Sequence, residues 1–274
     1  MKYILMVVAI MGVASSLPSG QAKDNQAEVA PQKTLEGCHG LPWEAKQSDW
    51  NVGQVLSPHL KKEDLIKALH PKTNIAANSN QMEVVVGIGA KPWRYLSDAQ
   101  IVVLETDVRA KNNFGGTDSL YRNLSIAIIT TSPSSSTFTI VAKTKDPFRL
   151  KEGSQFNKYD LAPYRLSEAE YGFGLRECVI STGTGFIESF ESLNLFKLSD
   201  SNIARVLSTP IYYENAPLRG GGEGVKEIAT ISISSMKTNG YFNLIKNAGK
   251  NKSAVFYWDG KVYKTEDKDP FRSF

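Results

Sequence analysis

From Glu83 onward the chain is written as short runs of β-branched and aromatic residues cut apart by turn residues, a punctuation that specifies sheet. The runs are Glu83 to Ile88, Ile101 to Glu105, Leu124 to Thr131, Thr137 to Lys143, Tyr171 to Ser181 and Ile203 to Tyr213. Tyr171, Phe173 and Leu175 alternate with Gly172, Gly174 and Arg176, the period of a strand with one buried face, and the glycines permit close approach or a bulge. At the C-terminal end Ile228 to Ser234, Tyr241 to Ile245, Ala254 to Trp258 and Lys261 to Lys264 are separated by Asn239-Gly240 and Asp259-Gly260 among other turn residues. Asn-Gly and Asp-Gly supply the positive φ angles of tight hairpins, so this segment is predicted to be an antiparallel meander of four strands. The expected fold is mainly β, with antiparallel sheets arranged as a meander, sandwich or propeller-like body, and one short helix near the N-terminus.

That helix is predicted after Ser57, a capping residue, with Pro58 in the first turn. Leu65, Ile66 and Leu69 share one side, and Pro71 is the stop. Ahead of it, Lys2 and the apolar run Tyr3 to Val13, closed by Gly20-Gln21-Ala22, have the layout of a signal peptide over residues 1–22. Ser15, Ser16, Pro18, Ser19 and Gly20 interrupt the apolar run too early for a span of about 20 residues, so no membrane span is expected after leader removal. Residues 23–36 are polar, without an apolar period, and read as a flexible linker. Residues 37–274 then form a β-rich domain, either whole or as two sub-domains dividing near residue 150. Lys145-Asp146-Pro147-Phe148-Arg149 recurs as Lys268-Asp269-Pro270-Phe271-Arg272, each copy following a strand that ends in Lys-Thr; duplication and coincidence both remain open.

Export makes the cysteines informative. Only Cys38 and Cys178 are present, and an oxidising compartment joins such a pair, closing a loop of about half the chain. The rival reading makes Cys38 a nucleophile beside His39, but neighbours in sequence seldom point the right way for general-base work.

The chemistry that can be sought is mostly missing. His39, His59 and His70 have no metal-helix spacing. Gly-x-Ser-x-Gly is absent, and Gly183-Thr184-Gly185 reads as a turn at a strand edge. Ser234-x-x-Lys237 matches a short penicillin-enzyme pattern without its Ser-Asp-Asn or Lys-Thr-Gly companions. Gly87-x-Gly89 lacks the third glycine of a dinucleotide loop and meets Pro92 where the helix should begin. Arg219 to Gly224 reads as a connection. Glu188 with Glu191 is a carboxylate pair of the kind glycoside hydrolysis uses, subject to spatial separation. Trp43, Trp50, Trp93, Trp258, Tyr212-Tyr213 and Phe256-Tyr257 serve either a core or a sugar- or protein-binding surface.

The segment Met236 to Ile245 and Val255 to Tyr263 resembles a degenerate FG-GAP or VCBS-type β repeat of exported bacterial proteins. In that family carboxylates or Asn around the Asn/Asp-Gly turn bind Ca²⁺. The matching positions here are Ser235, Lys237, Asn239 and Asn243, and a lysine among them argues against calcium. Tyr159 to Leu166 and Tyr171 to Arg176 are similar to segments of uncharacterised Gram-negative periplasmic proteins, a likeness that implies no activity.

Net charge is +4, too small an excess to imply a nucleic-acid partner. The sequence therefore points to a periplasmic or secreted protein with no catalytic, cofactor or metal residues assigned. Its function is expected to be binding of another macromolecule, a protein partner, as an inhibitor or immunity-type protein binds. The alternative is an exported hydrolase acting on cell-wall or carbohydrate substrate through carboxylates.

Overall fold

Ile101-Val102-Val103-Leu104 is an unbroken apolar run, and the strand it forms is covered on both faces. That strand sits in the computed structural model, which describes residues 61–70, 80–131, 137–183, 185–217, 224–249 and 252–269. The expected leader, the linker and Cys38 lie outside the described residues.

Two antiparallel meanders make up the larger sheet. The first runs β1 (Gln81–Pro92), β2 (Ala99–Lys111), β3 (Thr117–Thr131) and β4 (Phe138–Lys143), with the short β5 (Phe148–Arg149) also added to β3. The second runs β6 (Gln155–Arg165), β7 (Tyr171–Gly183), β8 (Phe186–Ser199), β9 (Asn202–Pro217) and β10 (Val225–Ile228). One parallel bridge, Lys143 with Asn202, joins β4 to β9. The joined sheet folds over so that the two meanders face each other around Ile101, Val103, Ile126, Ile128, Phe173, Leu175 and Phe196.

Each outer face has its own cover. Helix α1 (Lys62–Leu69) lays Leu65 and Leu69 on Ile88, Val102, Leu104 and Ile129 of the first meander. A four-stranded sheet, β11 (Thr230–Thr238), β12 (Tyr241–Asn247), β13 (Ser253–Trp258) and β14 (Tyr263–Lys264), packs Leu244, Phe256, Trp258 and Tyr263 against Leu193, Leu195, Val206 and Leu207 of the second. The order is helix, sheet, sheet, sheet, with an apolar layer at every junction. Strands from both sides of residue 150 belong to the one large sheet.

Among the described residues the architecture is mainly β and antiparallel with one short helix, as the sequence specifies. Ser57 and Pro58 fall outside the described residues; the helix is capped by Lys61 and ends at His70, whose extended backbone (φ −66°, ψ 109°) suits a residue preceding proline. Asn239 (φ 51°) and Gly240 (φ 83°) form the expected two-residue hairpin between β11 and β12. Asp259-Gly260 builds a longer connection than a two-residue hairpin: β14 begins only at Tyr263, and Asp259 Oδ1 accepts the N–H groups of Lys261 and Val262 at 2.8 Å each. At Gly172 and Gly174 the close approach is real, since an added Cβ would lie 2.7 Å from the Phe196 carbonyl oxygen and 2.6 Å from Leu193 Cδ1 respectively. Among the described residues no helix is long and apolar enough to cross a membrane.

Candidate functional site

Glu188 and Glu191 lie three residues apart on β8, so their side chains leave opposite faces of the sheet and cannot flank one scissile bond. Glu188 accepts hydrogen bonds from Tyr213 Oη and Asn215 Nδ2, each at 3.1 Å. Glu191, almost wholly buried, accepts from Arg176 Nη1 at 2.6 Å and from Asn157 Nδ2, with Lys158 Nζ 3.6 Å away. Arg176 also donates from Nε to Asp160 Oδ2 at 2.7 Å, so one guanidinium bridges two buried carboxylates on the β6–β8 face, with Lys158 adding a second positive charge. This is a structural clamp.

Between the meanders, Glu105 is held by Arg122 at 3.1 Å and accepts the Phe156 N–H at 3.5 Å. Glu177, the ladder partner of Phe156, is 3% exposed, and its oxygens meet only the Asn194 side chain and the Lys151 backbone, outside good hydrogen-bond geometry. Burial pushes its carboxyl upward, opposed by nearby Lys151, Asn194 and Arg205. That is the direction a general acid needs, but Glu177 lines neither the pocket between His70, Ser125 and Lys143 nor the groove beside Tyr257.

The other sequence candidates disperse. His70 Nε2 lies 3.9 Å from Glu83 Oε2 beside the end of α1, while His39 and His59 fall outside the described residues. Ser234 Oγ accepts the Met236 N–H at 3.0 Å within a β11 bulge, and Lys237 Nζ is taken by Glu168. Gly87 and Gly89 sit inside β1, and Gly183 and Gly185 border the turn between β7 and β8. Residues 219–223 are outside the described residues. Cys178 is buried on β7, where Gln155 Nε2 approaches its Sγ at 3.8 Å. Trp93, Trp258, Tyr212, Tyr213 and Phe256 are core residues, whereas Tyr257 is half-buried. Lys237, Asn239 and Asn243, matched above to a calcium loop, lie on β11, the hairpin and β12; among the described residues no three His, Cys, Asp or Glu side chains converge as a metal-ligand group.

The residue that sequence reasoning missed is Phe114. It stands at the tip of the β2–β3 hairpin with 97% of its surface exposed. Asn112 makes that tip rigid: its Oδ1 accepts the N–H groups of Phe114 (3.1 Å) and Gly116 (2.8 Å), and its Nδ2 donates to Asp118 Oδ1 at 3.1 Å. Gly115 takes φ 79° to close the turn. Met82 on β1 and Leu120 on β3 are also exposed, and the ladder brings both strands to the same end, with Met82 paired to Arg109 and Arg109 to Ser119. Because these hydrogen bonds already order the backbone that carries the ring, binding there would cost little further backbone entropy. The signal in the sequence was Asn112-Asn113-Phe114-Gly115-Gly116, a lone aromatic inside a turn composition.

No protein-family profile, no curated protein and no solved structure matches the chain.

Proposed function

We propose that this chain is an exported, non-catalytic sheet protein that binds another protein, as inhibitors and immunity-type proteins do, and that the β2–β3 hairpin is its contact. The observation that carries the reading is the ordered backbone that displays Phe114 at the hairpin tip, with exposed Met82 and Leu120 toward the same end of the sheet. Water gains nothing from an ordered, bare aromatic ring, and aromatic anchors dominate the binding energy of protein interfaces. The carboxylate chemistry of a hydrolase finds less support, because Glu191, Asp160, Glu105 and Glu188 are each occupied by cations or hydrogen-bond donors. Export to the periplasm or medium, with a Cys38–Cys178 disulfide, follows from the leader and the cysteine count.

A photoreactive phenylalanine analogue placed at position 114 tests the contact in periplasmic extract. A single protein species should be captured, with capture competed away by unlabelled wild type and unaffected by unlabelled Phe114→Ser. Since Phe114 packs against almost nothing, Phe114→Ser should melt as wild type does. Capture of no species, or competition by both proteins alike, would reject the hairpin. Mass spectrometry of the mature chain without reductant checks compartment and pairing together: a retained leader, or thiols at both cysteines, removes that part of the reading.

A further inference from the structure

In an antiparallel meander the first and third connections fall at the same end. The β11–β12 turn at Asn239-Gly240 and the β13–β14 turn at Asp259-Gly260 are therefore neighbours. Asn239 Nδ2 ties them together by donating to the Trp258 carbonyl oxygen at 2.9 Å. Beside this junction lies an open groove of about 550 Å³ lined by Thr238, Asn239, Tyr257, Asp259, Thr265 and Glu266, with Lys264 and part of Trp258. Its size is that of a small-molecule site, for which about 300–1,000 Å³ is usual.

The lining has a definite chemistry. Phe256 and Trp258 point into the core, so the strand alternation turns Tyr257 to the opposite face, where it stands half-buried and pairs across the ladder with Lys264. Around that ring are a side-chain amide, two hydroxyls and two carboxylates. The only lysine in the lining is already spent: Lys264 Nζ lies 2.6 Å from Asp259 Oδ2. That contact and the two backbone N–H groups on Oδ1 hold the Asp259 carboxyl far below the usual carboxylate range, so it stays ionised and fixed. With no unpaired cation among its described lining residues the groove has little to attract an anion, and an aromatic ring edged by polar and charged side chains suits a ligand that is itself part apolar and part polar.

We infer that the groove between the two turns of the four-stranded sheet is a subsite for a neutral saccharide. One pyranose unit would lay its C–H face on Tyr257 and present its hydroxyls to Asn239, Thr265 and Glu266. A pyranose has one apolar face and a rim of groups that both donate and accept hydrogen bonds, which is the complement of an aromatic ring edged by amide, hydroxyl and carboxylate. The open form of the groove suits a unit within or at the end of a longer chain. The site is on a different sheet from the Phe114 hairpin and stands independently of it.

The test is a titration of the ¹⁵N-labelled protein with cellotetraose, chitotetraose and maltotetraose, followed by amide resonances. At least one sugar should shift Asn239, Tyr257, Asp259 and Thr265 together. Tyr257→Ala should weaken that binding by at least about tenfold, the equivalent of one good stacking contact. Glu266→Gln, at an exposed position, keeps the test decisive if Tyr257→Ala unfolds: it should weaken binding with the fold intact. Phe114→Ser should bind as wild type does. The inference is overturned if no sugar shifts these resonances at about 10 mM, a concentration that reveals even very weak sites. It is equally overturned if the shifts fall elsewhere, or if Glu266→Gln and a folded Tyr257→Ala both leave the affinity unchanged.

Discussion

Lys246 Nζ lies 2.6 Å from Asp269 Oδ1, with the lysine side chain completely enclosed beneath the four-stranded sheet. Thr209 Oγ1, on β9, accepts from the same ammonium at 2.9 Å. The contact ties the second copy of the Lys-Asp-Pro-Phe-Arg repeat to β12 and β9. In the first copy Phe148 and Arg149 form β5 against β3.

Removing either partner of this ion pair should have unequal effects. Asp269→Ala removes the carboxylate 2.6 Å from an enclosed ammonium and should cost about 2–4 kcal/mol, toward the value for breaking a buried pair. Lys246→Met leaves a carboxylate that retains access to water and replaces a buried charge with an apolar chain; it should be within about 1 kcal/mol of wild type. Urea unfolding of both variants at neutral pH measures the difference, and equal losses would contradict the assignment.

Glu177 should make stability depend on pH. Burial raises its folded pKa above the ordinary value of 4.5, so the folded state binds the proton more tightly than the unfolded state. Its contribution is fully present below pH 4.5 and is lost as pH rises through the raised value. Glu177→Gln should remove that loss, flattening the pH profile above 4.5 and adding about 1 kcal/mol at neutral pH. Thermal melts of wild type and variant from pH 4 to pH 8 check it; parallel curves would refute it.

The glycines of β7 offer a test of packing. At Gly174 the nearest obstacle to a methyl group is the end of the Leu193 side chain, although Asp160 Cβ and its carbonyl oxygen are close behind. At Gly172 it is the backbone oxygen of Phe196, within the ladder itself. Both alanine variants should lose about 1–3 kcal/mol, with Gly172→Ala the worse because a carbonyl in a paired strand cannot rotate aside. Differential scanning calorimetry gives the order, and a Gly172→Ala that melts above Gly174→Ala would reverse it.

Much of this fold was legible because its strands obey simple rules. Tyr171, Phe173 and Leu175 alternate, and the Asn239-Gly240 hairpin follows from its two residues alone. The β6 and β8 strands were hidden for separate reasons. Leu193 to Phe196 carry buried side chains toward both the inner core and the four-stranded sheet, so β8 shows no alternation. In β6, Leu161-Ala162-Pro163 bulge out opposite Phe173, which lets an edge strand tolerate a proline and scrambles its period. Both turns of the saccharide groove were readable one by one, but their adjacency depends on the meander closing. Phe114 gave no periodic signal at all, because its exposure comes from the hydrogen bonds that Asn112 makes.

Among the described residues only the Lys143–Asn202 bridge carries ladder pairing from one meander to the other. Every other described ladder except β3 with β5 joins consecutive strands, so most pairing within each half closes only short loops. The expected late event in folding is then the docking of the two halves, with φ-values lower for Val103 and Phe173, which meet between the meanders, than for residues within each hairpin.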